Sequence, residues 1–127
     1  MSQSALVLIG RILIAVIFIV SGFGKITNIG GTAGYFGSMG LPMPMITAWV
    51  VALLELVGGL AIVAGFQTRI AAILLALFSV FSGVIAHFDF ADQMQSIMFM
   101  KNLSMAGGLL VLAAFGPGAL SVDRAKV

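Results

Sequence analysis

The stretch VALLELVGGLAI, residues 51–62, decides the fold, because an apolar run of membrane length carries a single charged residue, Glu55. A charge at the middle of a bilayer costs about 2.5–3.5 kcal/mol even on the lenient insertion scale, so this carboxylate must be paired, protonated or hydrated. Small residues recur at helical spacing on the same side as Glu55, which predicts that it faces a neighbouring helix rather than lipid. These residues are Ala48, Ala52, Gly58 and Gly59.

The composition places the whole chain in a membrane. Of its 127 residues, 61% are hydrophobic and 8% are charged, whereas about a quarter of a soluble domain is charged. The mean hydropathy is +1.23. No linker divides the sequence, so we expect one domain over residues 1–127.

Cysteine and charge usage exclude several kinds of site. The chain has no cysteine and one histidine, so it offers no thiolate metal ligands and no pair of axial haem ligands. We therefore predict no metal site and no covalently bound cofactor. Any redox centre must come from a bound ligand or a partner protein. The six basic residues are scattered, which argues against nucleic acid as a partner.

Four apolar runs are long enough to cross a bilayer, which takes roughly 20 helical residues. They cover about residues 5–24, 45–66, 69–87 and 97–115. Consecutive apolar positions exclude the alternation of a membrane β-barrel. The predicted fold class is all-α: a polytopic membrane protein with a bundle of four transmembrane helices.

The basic residues predict the orientation of that bundle. Arg11, Arg69, Arg124 and Lys126 would lie on the side of both termini, against Lys25 and Lys101 on the other side. The positive-inside rule therefore predicts cytoplasmic termini. We interpret Arg11 as snorkelling to cytoplasmic headgroups.

The connection NIGGTAGYFGSMGLPMP, residues 28–44, predicts a short interfacial helix between the first two spans. Tyr35, Phe36 and Met39 can form its apolar side, and Gly40 before Leu41-Pro42 is typical of a helix end. A phosphate-binding glycine loop is the other interpretation, but no strand precedes these glycines and no GK[ST] follows them.

Helical spacing and topology gather the remaining polar residues in the outer half of the bundle. Two arrangements remain open. Glu55 can form a buried ion pair with Lys101 or Lys25 that only fixes helix register. Alternatively, Glu55 binds or relays a proton in an outward-opening pocket where the lysines hold an electron-rich or anionic ligand. The candidate pocket residues are Glu55, Lys101, Lys25, His87, Asn102 and Asp89.

Several motifs, in order along the chain, resemble the DoxX family. They are SGFGKI (21–26), GTAGYFGSMGLPMP (31–44), ELVGGL (55–60), GFQTR (65–69), FMKN (99–102) and GPGALSVDR (116–124). The resemblance implies a four-helix bundle in the bacterial cytoplasmic (inner) membrane. It also implies links to quinone-coupled oxidation of sulfur compounds and to superoxide- and thiol-handling enzymes. The family's marked polar positions match Lys25, Glu55, His87, Lys101 and Asn102.

The expected function is therefore a membrane subunit or docking partner of a quinone- or thiol/sulfur-linked redox system, with a quinone or quinol as the candidate ligand. Its expected partners are the lipid bilayer and soluble or membrane oxidoreductases. Two alternatives stay open: a small proton or anion transporter or channel, and a structural membrane assembly protein. Whether the chain is itself an enzyme also stays open. Glycines such as Gly107 would permit helix contacts in a homo-oligomer.

Overall fold

The computed structural model describes residues 2–126 and contains five α-helices and no strand within that range. The helices are α1 (Gln3–Thr27), α2 (Ile29–Ser38), α3 (Pro44–Ala64), α4 (Thr68–Ala86) and α5 (Gln93–Phe115), and a 3₁₀ turn follows at Asp123–Lys126. Four of them, α1, α3, α4 and α5, are long and apolar enough to cross a membrane. The predicted all-α architecture with four spans is confirmed.

The helix ends differ from the predicted spans by up to four residues, for local reasons. The α1 helix continues to Thr27, and α5 begins at Gln93 because the Asp92 carboxylate accepts hydrogen bonds from Met94 N and Gln95 N. At the other end of α3, Gly65 adopts a left-handed conformation with φ of 71° and ends the helix. Hydropathy alone does not register these caps.

Small residues bring α1 directly against α3. A Cβ atom at Gly22 would lie 2.5 Å from Leu56 N and 2.9 Å from Ala52 O, so only glycine permits this approach. About one turn before Gly22 in α1, Ile19 packs in the same way on Gly59 of α3. The α4 and α5 helices form a second close pair, and α3 contacts α4. The bundle is thus two antiparallel helix pairs joined through α3 and α4.

The short α2 helix lies over one end of α3, where Ala33 and Phe36 pack on Ala48. Its C-terminus is closed by Gly40, which has φ of 79°, and by a hydrogen bond from Leu41 N to Phe36 O. The predicted short helix and its glycine stop are confirmed. Of the predicted apolar side, Tyr35 is exposed.

The segment after α5 folds back over the opposite end of the bundle. Val122 N and Asp123 N donate to Ala64 O and Gly65 O, at 3.0 and 2.8 Å. The Asp123 carboxylate in turn accepts from Gln67 N at 2.7 Å and Thr68 N at 2.9 Å, which caps the start of α4. We call residues 116–124 the tail, this end of the bundle the tail end, and the end near α2 the pocket end.

The tail buries Arg11, whose side chain is only 1% exposed. Its Nη2 donates to Leu120 O at 2.6 Å, and Asp123 lies close enough to interact with it electrostatically. The interpretation that Arg11 snorkels to headgroups is therefore wrong: the guanidinium is held inside the protein by the returning chain.

Candidate functional site at the pocket end

A cavity of about 370 Å³ lies at the pocket end, bounded by all five helices. Its wall is mostly apolar, with a limited number of polar groups, which is the usual make-up of a small-molecule site. The polar side chains that line it are Ser21, Lys25, Tyr35, Thr47, Glu55, Ser79, Ser82, His87, Lys101 and Asn102.

An ion pair between Lys25 and Glu55 forms one side of the cavity. Lys25 Nζ lies 2.6 Å from Glu55 Oε1, and the two side chains are 26% and 6% exposed. The close contact at Gly22 creates this pair, because it places α1 against α3 three residues before Lys25. Of the two lysines considered as partners of Glu55, the structure selects Lys25.

Asn102 joins α5 to α4 on the opposite side of the cavity. It is 8% exposed, and its Nδ2 donates to Ser79 O at 3.0 Å and to Ser82 Oγ at 3.1 Å. The absence of a side chain at Gly83 makes room, since a Cβ there would lie 3.3 Å from Asn102 Cβ. Both amide donors are thus used within the protein, whereas the amide oxygen has no partner among residues 2–126.

His87 ends α4 and is oriented by a residue of α5. Its Nδ1 lies 2.6 Å from Oε1 of Gln95 in the first turn of α5. An amide oxygen can only accept, so in this arrangement Nδ1 donates the hydrogen bond. The contact holds the His87 ring in the wall of the cavity.

Lys101 and Asp89 differ in their relation to the cavity. Lys101 lines it from α5, is exposed, and has no hydrogen-bond or ion-pair partner within the described part of the chain. Asp89 is not a lining residue; its Oδ1 accepts from Ala91 N at 3.2 Å and so stabilises the turn after α4. Five of the six candidates from the sequence are brought together, and Asp89 stands apart.

Several polar residues of the site were not singled out from the sequence, among them Ser21, Ser82 and Gln95. Ser21 carried a signal, since it lies one helical turn before Lys25 and hence on the same face. Ser82 and Gln95 gave none, because their roles depend on contacts between α4 and α5. Within residues 2–126, no three His, Asp or Glu side chains meet as a group of metal ligands.

Together, these groups can bind a ligand that carries oxygen acceptors and exchangeable protons. Lys25 and Lys101 supply positive charge, Asn102 an amide oxygen, and Glu55 and His87 two groups that can change protonation state. The apolar remainder of the wall suits a ring or a hydrocarbon chain.

Comparison with known proteins places the chain in one family. The sequence model of the DoxX family matches residues 6–88. The chain is 48% identical over 118 residues to the inner membrane protein YqjF of Escherichia coli (strain K12), covering 93% of this chain and 89% of that protein. It is 40% identical over 128 residues to inner membrane protein YphA of the same organism, covering 97% and 91%.

A more limited match is to a Bacillus subtilis (strain 168) protein named putative oxidoreductase CatD, at 43% identity over 67 residues, or 53% of this chain and 48% of that protein. No solved structure matches the chain.

Proposed function

Because this chain belongs to the DoxX family, we propose that it serves a redox system of the bacterial inner membrane as an integral subunit or docking partner. The redox system is linked to quinones or to thiol and sulfur compounds, and the pocket-end cavity binds a quinone or quinol head group. The name of the Bacillus subtilis relative supports a redox role. The relatives' names also support an inner-membrane location.

The Lys25–Glu55 ion pair in the wall of a mostly apolar cavity is the observation that carries this proposal. A quinone head group has two carbonyl oxygens that become hydroxyls on reduction, so its site needs hydrogen-bond donors and groups that exchange protons. Lys25 donates, while Glu55 and His87 can each hold or release a proton. The electron acceptor or donor comes from the ligand and a partner oxidoreductase, because this chain contains no cysteine.

The orientation of the site follows from the positive-inside rule. With both termini in the cytoplasm, the tail end faces the cytoplasm and the cavity lies in the outer half of the membrane. Lipophilic ligands and a partner on the outer side would then both have access to it.

Quinone binding to the purified protein in lipid nanodiscs tests the proposal. We expect a long-chain quinone to bind and Glu55→Gln to weaken binding by about tenfold, since about 1.4 kcal/mol of head-group interaction would be lost. Asp89→Asn is the matched control, because it removes the same charge at the pocket end without altering the cavity wall. Gentle extraction followed by mass spectrometry should also recover a quinone or an oxidoreductase with the protein.

The proposal fails if the protein binds no quinone and retains no redox partner. In that case the ion pair favours the second candidate, a structural assembly protein in which Lys25 and Glu55 fix the register of α1 on α3. A double-mutant cycle on Lys25 and Glu55 measures that structural contribution directly.

A further inference from the structure

The four long helices are not equally close to one another. The α1 helix packs along α3 and the α4 helix along α5, whereas α1 and α5 touch at few positions. One of those positions lies in the tail half, where Gly108 of α5 faces Ile14 of α1. Nearer the tail end, Gly118 of the tail packs against Val7 of α1. The α1–α5 wall is therefore closed toward the tail end.

Toward the pocket end the same wall is loosely packed. At 1.5 Å rise per residue, Ile17 and Ser21 of α1 lie level with Met105 and Lys101 of α5, about one and two turns beyond the Ile14–Gly108 contact. All four line the cavity, yet three are only half-buried and Lys101 is exposed. We call these four residues the α1–α5 seam.

The packing of α1 on α3 shows the contrast. On the side of α1 that faces α3, Ala15, Phe18 and Gly22 are buried. The α2 helix does not cover the seam, because it packs chiefly on α3. Since the outer surface of the bundle faces lipid, the half-buried residues of the seam stand between the cavity and the hydrocarbon region of the bilayer.

The charge at the seam indicates what enters it. Lys25 is neutralised by Glu55, whereas Lys101 has no partner among residues 2–126. Lys101 lies eight residues into α5, about 12 Å along the helix from its start at Gln93. An unpaired ammonium at this depth favours a ligand whose head group carries negative charge or strongly accepting oxygens.

We propose that the ligand reaches the site sideways from the bilayer and stays partly in the seam. It is an amphiphile with one hydrocarbon chain, which lies between α1 and α5. Its head group carries oxygen atoms, and Lys101 contacts this head group next to the Lys25–Glu55 pair. This inference rests on the proposed function and adds the ligand class and the route. The hydrocarbon chain of the ligand contributes to binding by displacing lipid from Ile17 and Met105.

Cross-linking the seam tests this inference. Because the sequence contains no cysteine, only the introduced thiols react with the cross-linking reagent. Ile17→Cys with Met105→Cys is closed by bifunctional thiol reagents of graded length. Ile14→Cys with Gly108→Cys is the matched control, one turn lower, where the helices already touch. The probes are a fully substituted benzoquinone with a decyl tail and its tetramethyl analogue, since full substitution prevents addition of the thiols to the ring.

We expect closure of the seam to weaken binding of the decyl quinone by about tenfold or more, because the linker occupies the space of its decyl chain between α1 and α5. Closure of the seam should not change binding of the tetramethyl quinone. The control cross-link should not change binding of either quinone. If the decyl quinone binds equally well before and after closure, the proposed position of its decyl chain in the seam is wrong, while the proposed function stands. If neither quinone binds before closure, the proposed function fails and the seam proposal fails with it.

Lys101 gives an independent readout of the head-group contact. Lys101→Met should weaken binding of both quinones by about tenfold, and Lys101→Arg, which keeps the charge, should restore most of it. Unchanged affinity in Lys101→Met, with the fold intact by circular dichroism, would overturn the role assigned to this lysine.

Discussion

The two ends of the bundle handle a basic residue of α1 in opposite ways. Arg11 and Lys25 are 14 residues apart, nearly four helical turns, so they lie on nearly the same face of the helix. At the tail end, Arg11 is sealed under residues 116–124 and donates to a backbone carbonyl. At the pocket end, Lys25 pairs with a carboxylate and lines a cavity of about 370 Å³.

The difference teaches that the partner, more than the burial, determines what a charged residue can do. The backbone carbonyl that accepts from Arg11 cannot change its charge, and the nearby Asp123 carboxylate accepts from the first amides of α4. The tail fills the space around Arg11. The Glu55 carboxylate can change protonation state, and the cavity beside it leaves room for a ligand. The tail end is therefore closed by the chain itself, whereas the pocket end keeps a cavity beside its ion pair.

The largest expected effect comes from breaking the pocket-end pair. Lys25→Met leaves Glu55 buried without a counter-charge, which should lower the free energy of unfolding by about 3 kcal/mol or more. Glu55→Gln combined with Lys25→Met should recover most of this loss. The measurement is unfolding in mixed micelles of increasing SDS content, followed by circular dichroism. A double mutant whose loss equals the sum of the single losses would show that the two residues are not coupled.

The next effect concerns the glycine that positions this pair. Gly22→Ala adds a Cβ 2.5 Å from Leu56 N, so α1 must move away from α3, at a cost of about 2 kcal/mol. The separation should also weaken quinone binding, because Lys25 moves with α1. Gly10→Ala, near Arg11, is the control, since its Cβ would meet no atom within 4 Å. Equal stability of the two variants would contradict the close approach.

At the tail end, Arg11→Met should cost less, about 1–2 kcal/mol, because it leaves Leu120 O without its donor while keeping most of the packing. Its second effect is local: the tail should detach more often and trypsin should cleave faster after Arg124. Quinone binding should stay unchanged, because Arg11 does not line the cavity. A cleavage rate equal to that of the wild type would argue against the tail being held by Arg11.

The smallest effect concerns the cap that the tail provides for α4. Asp123→Ala removes the acceptor of Gln67 N and Thr68 N and should cost about 1 kcal/mol. Asp123→Asn keeps one acceptor oxygen and should lose less. Hydrogen exchange of those two amides is the direct measurement, and protection that persists in Asp123→Ala would mean that another group caps the helix.

Local patterns predicted the part of the structure that depends on one helix at a time. Apolar runs predicted the four spans, and the small residues around Glu55 predicted that its side chain faces a helix, because both signals repeat with the helical period. The gathering of Lys25, His87, Lys101 and Asn102 at one end followed from the alternation of helix directions.

Contacts between distant segments were not predictable in the same way. The choice of Lys25 over Lys101 as the partner of Glu55 depends on α1 lying against α3, which hydropathy does not encode. The snorkelling interpretation of Arg11 was wrong because the returning tail reaches it from 109 positions away. Gln95 acquires its role only when the turn between α4 and α5 brings it to His87.

That separation between Arg11 and Leu120 has a consequence for the biogenesis of the protein. Glu55 follows Lys25 by only one further span, whereas Leu120 lies 109 positions after Arg11. Synthesis of that stretch takes roughly 5–20 s at 5–20 residues per second. During this interval the first helix carries a guanidinium that its final acceptor cannot yet reach. We expect chains stalled before Leu120 to hold this helix less securely in the membrane, which alkaline extraction of the stalled chains would measure.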